Sequence, residues 1–311
     1  MKIVYAGAPA FSVPPLRALR EAGFAVAAVV TQPDKPAGRK AVLTPTPLKE
    51  YAQSAGIPVY DFAKIREHAA ELRGTGADCM ITCAYGQILT EEVLRAFPSG
   101  VYNIHASLLP RWRGASPIQH SLLAGDAVTG ITVMKTDIGL DTGDILLQKS
   151  LPIAESDTCG MLSEKLSALG GECIAEALAL LAAGRAELKK QGEEGATLCK
   201  KIVKENCAVD FSRPAKELGR LIRAMNPAPL AFAYLNGKLV NFYFAEPAEY
   251  GGDGVCGQVV RADKTGIYVK AGEGALKIAE LQAEGGKKMR AADFVNGRKI
   301  AVGDVFAKER A

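Results

Sequence analysis

The chain is poor in the residues and patterns on which most cofactor sites are built. Three histidines and one tryptophan serve 311 residues. Seven cysteines are scattered, with no CxxC pair and no histidine-rich segment beside them, which leaves no framework for a metal such as zinc. Cys79 and Cys83, the nearest two, fall on an apolar run that reads as a strand, so the thiols read as buried side chains in a reducing compartment. There is no phosphate loop of the GxxxxGK type and no GxGxxG. Gly7-Ala8-Pro9-Ala10-Phe11 sits where a dinucleotide fingerprint would, with one glycine where three are needed, so a nicotinamide nucleotide has no cradle there. No apolar run is long enough to span a bilayer, and the first residues lack the extended apolar region of a signal peptide. These absences point to a cytoplasmic protein that works without a membrane.

What is present is a globular composition, 48% hydrophobic and 23% charged. Near-continuous apolar runs at 2–6, 24–31, 57–60, 78–84 and 101–105 read as strands of a parallel sheet covered on both faces. A helix capped by Ser12 and closed by Gly23 follows the first run. Further helices are predicted at 48–55, 91–97 and 158–183, and further strands at 130–134 and 144–149. This alternation gives an α/β, doubly wound, mainly parallel domain of Rossmann-like type over 1–184. Residues 185–203 are polar and aperiodic and read as a linker. From 204 to 311 a short helix at 214–225 precedes short, Gly-punctuated strands at 231–234, 239–244, 255–260, 266–269 and 275–281. That pattern reads as a small β-barrel, OB-like. Residues 204–311 hold 17 Lys and Arg against 13 Asp and Glu, which is the whole +4 of the chain, because the remaining 21 of each sign cancel. The excess hints at a polyanionic partner for the second domain, although a solvated basic face would look the same.

The polar residues that break the apolar pattern are the candidates for chemistry. Asn103 and His105 lie two apart at the end of a predicted strand and so share a face. In doubly wound sheets ligands bind beyond such strand ends. Downstream, the loop Asp137-Ile138-Gly139-Leu140-Asp141-Thr142-Gly143-Asp144 offers three carboxylates. An amide, an imidazole and a carboxylate are the parts an acyl transfer needs: a donor to a developing oxyanion, a proton carrier, and a group that orients it. By spacing alone, a structural role is the commoner one for a lone His and Asn on a strand.

Asn103-Ile104-His105 followed by Ser107-Leu108-Leu109-Pro110, with Asp141-Thr142-Gly143-Asp144 downstream, resembles the signature of the folate-dependent formyltransferases. Tyr5-Ala6-Gly7-Ala8-Pro9, the loop 31–40, Ala84-Tyr85-Gly86, the run 105–119 and Cys199-Lys200-Lys201-Ile202-Val203-Lys204-Glu205 are similar to the methionyl-tRNA formyltransferase family in particular, in the same order along the chain. Ala8, Gln87 and Phe211 depart from that family's usual Thr, apolar residue and Trp. The resemblance implies formyl transfer from 10-formyltetrahydrofolate, a co-substrate, to the α-amine of initiator methionyl-tRNA, by a monomer that needs no metal. It implies that Asn103, His105 and Asp141 are catalytic and that Ser107, Leu108, Leu109 and Pro110, with Gln87, Ile88 and Leu89, line the folate site. It further implies that Lys35, Arg39 and Lys40, on a proline-stiffened loop, meet the tRNA acceptor end. Three other readings compete: a formyltransferase or hydrolase acting on a small molecule, a non-catalytic nucleic-acid-binding protein, and a dinucleotide-binding regulator, which fails on the missing glycines. The second leaves Asn103, His105 and Asp141 without a purpose.

Overall fold

The computed structural model describes residues 1–38 and 41–310. They form two compact units, one of Met1–Pro117, Val128–Pro152 and Ser163–Cys199, the other of Ile118–Ala127, Ile153–Leu162 and Lys200–Ala311.

The first unit is built on a seven-stranded sheet. Its strands are β1 (Lys2–Gly7), β2 (Ala25–Val30), β5 (Val59–Tyr60), β6 (Cys79–Cys83), β7 (Val101–His105), β9 (Val128–Lys135) and β10 (Ile145–Pro152). Two-residue and three-residue strands form two further pairs: β3 (Lys35–Ala37) with β4 (Val42–Thr44), and β8 (Arg113–Gly114) with β11 (Leu198–Cys199). The sheet order is β10-β9-β7-β6-β1-β2-β5, with β1, β2, β5, β6 and β7 parallel and β9 and β10 antiparallel to their neighbours. Ile3 to Ala6 and Cys79 to Ile81 are fully buried, as continuous apolar runs in a two-sided sheet must be. Strand order reverses between β1 and β6, beside β7, which makes the carboxyl ends of these strands the switch point at which such sheets bind ligands.

Helices cover both faces. On one, α1 (Val13–Glu21) packs against α2 (Cys159–Ala182), where a Cβ added at Gly171 would lie 3.0 Å from that of Ala18. On the other, Phe62, Ile65, Leu72, Val93 and Phe97 form a core with Val4, Met80 and Val101. The expected cap at Ser12 is a cap in position only, because its hydroxyl donates to Pro9 O at 2.6 Å. The expected helix at 91–97 ends at Leu94, and a helix at Pro117–Ala124 was not foreseen. Residues 32–47, expected as a loop, contain the β3–β4 hairpin. Its base is pinned by Thr31 Oγ1 to Thr46 Oγ1 at 2.7 Å and by Lys49, which pairs with Asp34 and Asp61 at 2.7 and 2.8 Å.

In the second unit helices at Ala215–Met225 and Ala291–Asn296 lie with strands β12 (Ala231–Leu235), β13 (Lys238–Ala248), β14 (Val259–Asp263), β15 (Gly266–Lys270), β16 (Ala275–Ala283), β17 (Met289–Arg290) and β18 (Phe306–Ala307). They run antiparallel in the order β14-β15-β16-β13-β12-β18, with β17 beside β16. The strand expected at 255–260 begins at Val259. The ends of this path are joined by Val259 N to Asp304 O at 2.7 Å and Phe306 N to Gly257 O at 2.8 Å, which closes the sheet into a barrel. Gly257 sits at φ +91°, and a Cβ there would lie 2.3 Å from Phe306 O, so closure at this point requires glycine. Phe211, Phe242 and Phe306 fill the interior with centroids 5.6 to 6.5 Å apart.

Six cysteines are buried and Cys256 is exposed, so the expectation of buried thiols fails at that position. Burial pushes the Cys79 and Cys83 thiols up to about 12. Among the described residues no helix is long and apolar enough to cross a membrane.

Candidate active site

Parallel pairing sets the first two candidates. In the register of β6 against β7, Thr82 lies opposite Asn103. The Thr82 hydroxyl donates to Asn103 Oδ1 at 2.9 Å, which turns the amide Nδ2 away, and among the described residues Nδ2 has no partner. Two residues on, His105 is buried, with Nε2 2.8 Å from the Trp112 carbonyl oxygen. A carbonyl only accepts, so the neutral ring carries its proton on Nε2 and its lone pair on Nδ1. Nδ1 faces Asp141 Oδ2 at 3.7 Å, too long for a hydrogen bond and close enough for an ion pair once the ring is protonated.

Asp141 arrives on the loop between β9 and β10, with its backbone at φ +52°, a region that non-glycine residues seldom occupy. Its carboxylate Oδ2 accepts from Gly114 N at 2.8 Å. Gln191 Nε2 donates to the Asp141 carbonyl at 2.9 Å and to that of Gly143 at 2.7 Å. Gln191 Oε1 accepts from Arg113 Nε at 3.1 Å, and the buried Arg113 guanidinium lies 3.4 Å from Glu193.

Gln191 belongs to the stretch read as a linker, which is paired over much of its length. Lys189 and Ile145 exchange backbone hydrogen bonds at 2.7 and 2.8 Å. Thr197 Oγ1 accepts from Trp112 N at 2.9 Å, and β11 runs parallel to β8. Cys199 Sγ donates to the Trp112 carbonyl at 3.3 Å. Burial, reinforced by the Asp141 carboxylate, holds that thiol above its ordinary value.

The stretch after His105 divides. Ser107 and Leu109 are buried, and the Ser107 hydroxyl donates to Arg111 O at 2.6 Å. Leu108 and Pro110 are half-buried. Thr132 Oγ1 knits this stretch to β9: it donates to Ser107 O at 2.7 Å and accepts from Leu109 N at 3.1 Å and Gln148 Nε2 at 2.8 Å. Gln87 spends its amide on backbone, accepting from Ile65 N at 2.8 Å and donating to Phe62 O at 2.9 Å. Leu89 packs against the core, whereas Ile88 is 88% exposed. Lys35 Nζ donates to Gln32 Oε1 at 2.5 Å, while Arg39 and Lys40 lie outside the described residues.

The fold therefore brings Asn103, His105 and Asp141 together. Sequence reasoning missed Gly114, Arg113, Gln191 and Thr132. The first two stand in the run that follows His105, but a lone glutamine in a polar, aperiodic segment carries no signal of its own.

Residues 1–178 match the family model described as formyl transferase, and residues 201–299 that described as formyl transferase, C-terminal domain. A methionyl-tRNA formyltransferase of Chromobacterium violaceum is 45% identical over 306 residues, 97% of this chain and 98% of that protein. One from Xanthomonas axonopodis pv. citri is 45% identical over 302 residues, 96% of this chain and 98% of that protein. Among solved structures, HypX from Aquifex aeolicus, in complex with tetrahydrofolic acid, matches with a TM-score of 0.67 at 19% identity, over 97% of this chain and 48% of that one, a likeness of fold alone.

Proposed function

We infer the reaction from the premise that the chain belongs to the methionyl-tRNA formyltransferase family: it is an enzyme that moves a formyl group from a tetrahydrofolate carrier to the α-amino group of initiator methionyl-tRNA. The assignment of the site is our own reading, and one observation carries it. An open amide donor at Asn103 and a histidine–carboxylate pair stand together at the strand ends of an α/β sheet.

In this reading the donor is 10-formyltetrahydrofolate. The lone pair of the methionyl amine adds to the formyl carbon, and the carbonyl electron pair moves onto oxygen. Asn103 Nδ2 donates to that oxygen as its charge develops. The proton shed by the amine goes to His105 Nδ1, because Nε2–H is engaged by Trp112 O. The imidazolium so formed lies 3.7 Å from the Asp141 carboxylate, an attraction strengthened by burial of the ring. As the carbonyl reforms, the bond to the folate nitrogen breaks and that nitrogen takes the proton back. No hydride moves and no net charge is created.

Exposed Ile88 and half-buried Leu108 and Pro110 supply apolar surface for the folate, whereas Gln87, Leu89, Ser107 and Leu109 hold the two loops in shape. Lys35, with Arg39 and Lys40, meets the acceptor end of the tRNA, and the charge excess of residues 204–311 adds backbone contacts of low sequence specificity. The protein acts as a cytoplasmic monomer. The test is a formylation assay with 10-formyltetrahydrofolate and three acceptors: initiator methionyl-tRNA, elongator methionyl-tRNA and free methionine. Initiator methionyl-tRNA should react fastest, with an apparent affinity that falls as salt rises. Equal use of free methionine, or tRNA binding indifferent to salt, refutes the tRNA reading.

A further inference from the structure

We propose that Gln191 is a positioning residue for Asp141, which makes the strap of residues 189–199 a working part of the site; this rests on the role given to Asp141 above. The loop that carries Asp141 departs from the sheet, and Asp141 itself holds a left-handed backbone conformation at φ +52°. Nothing in a strand register fixes it. Two contacts do. Gly114 N holds the carboxylate, and Gln191 holds the backbone on either side of Thr142 by donating one N–H to Asp141 O and the other to Gly143 O.

A primary amide suits this place for a specific reason. It has two N–H donors for two carbonyls and one oxygen for the buried Arg113 guanidinium, so all three neighbours are satisfied at once. Arg113 is itself fixed, because β8 pairs with β11 and its guanidinium lies beside Glu193. The chain Arg113–Gln191–Asp141 therefore ties the loop that carries the carboxylate to the loop that carries the Trp112 carbonyl, the partner of His105. Both rings of contact around the imidazole are referred to one strap. Gln191 touches no reacting atom in this account. It acts through Asp141, by setting the separation of the carboxylate from Nδ1.

The test is single-turnover formylation of initiator methionyl-tRNA at saturating donor, with wild type, Gln191→Leu, Gln191→Glu, Asp141→Asn and the two double variants. Leucine removes both donors. Glutamate keeps an acceptor for Arg113 but sets an oxygen against two carbonyl oxygens, so it should preserve thermal stability and still fail to position the loop. Each Gln191 variant should lose about 10- to 100-fold in rate, the usual scale for a displaced catalytic group. KM for both substrates should stay within about threefold, since binding is left intact. On the Asp141→Asn background the same substitutions should cost no more than about twofold, because a positioning residue has nothing left to position. Equal losses on both backgrounds, a loss confined to KM, or an unimpaired Gln191→Glu variant overturns the inference. If Gln191→Leu fails to fold, the glutamate pair decides. A wild type that forms no formylmethionyl-tRNA overturns the functional reading and this inference with it; an active wild type with additive losses overturns the inference alone.

Discussion

The two halves of the site are held in different ways. Asn103 and His105 stand on β7, hydrogen-bonded along both edges to β6 and β9, and a two-residue spacing puts them on one face. Asp141 stands on a loop with an unfavourable backbone conformation, and its position depends on Gly114 and Gln191, 27 and 50 residues away in sequence. The strand half is positioned by cooperative backbone pairing, which single side-chain changes hardly disturb. The loop half is positioned by a few specific hydrogen bonds, each removable. Stability and catalysis should therefore separate: damage to packing under β7 should cost stability, and damage to the strap should cost rate.

The largest effect is expected on the strand. His105→Ala should keep the fold and lower turnover by about two to four powers of ten, the range for losing a general acid–base group. A variant with native circular dichroism and near-normal turnover would remove His105 from the mechanism. On the loop, Asp141→Asn keeps an oxygen for the Gly114 amide but loses the charge that favours the imidazolium. Turnover should fall by about two powers of ten, while affinity for a folate analogue changes little. Titration with the analogue beside a rate assay decides it: collapsed affinity with a normal saturated rate would make Asp141 a binding residue.

A packing change beneath the strand should show the opposite signature. Ile104 is buried between Asn103 and His105, against the helix position of Gly170, where an added Cβ would lie 3.3 Å from Ile104 Cγ2. Ile104→Ala should cost about 2 to 5 kcal/mol of stability. Assayed well below its melting temperature, it should retain most of its turnover, because the β7 ladder survives. If Ile104→Ala loses rate in proportion to the Gln191 variants, the strand half is no better fixed than the loop half and the comparison fails.

This difference also sorts what the sequence could reveal. Apolar runs that fill a two-sided parallel sheet are long and unbroken, so β1, β2, β6 and β7 were legible, and with them the strand-end position of Asn103 and His105. Asp141 was one of three carboxylates in its loop, and only the family resemblance singled it out. The strap reads as a linker because Lys189, Gln191 and Thr197 are held by isolated contacts to distant residues, which impose no period on the sequence. Barrel closure was hidden likewise: it rests on Gly257 and on the short β18, too brief to register as a strand. At Gln87 the side chain is consumed by the 62–65 loop, so the only exposed member of the trio expected to meet the folate is Ile88.

The smallest effect is expected from thiol chemistry, and it decides how a strap variant fails. Cys199 ends the strap, buried against Trp112 O, with its thiol raised by burial, while Cys79, Cys83 and Cys173 are pushed up to about 12 by burial. At pH 8 a thiol with that value is ionised in roughly one part in ten thousand, and only the thiolate attacks a disulfide reagent. Exposed Cys256 should therefore react quickly with an aromatic disulfide in the native wild type, and all seven cysteines only after denaturation. Gln191→Leu removes side-chain hydrogen bonds but leaves the backbone pairing of Leu198–Cys199 with Arg113–Gly114 intact. That variant should lose rate and still show one fast thiol. A second fast thiol, lost again in a Cys199→Ser background, would mean that the whole strap opens when Gln191 is removed. Its catalytic effect would then be a loss of local structure, and the strap would be held by side chains as weakly as the loop it supports.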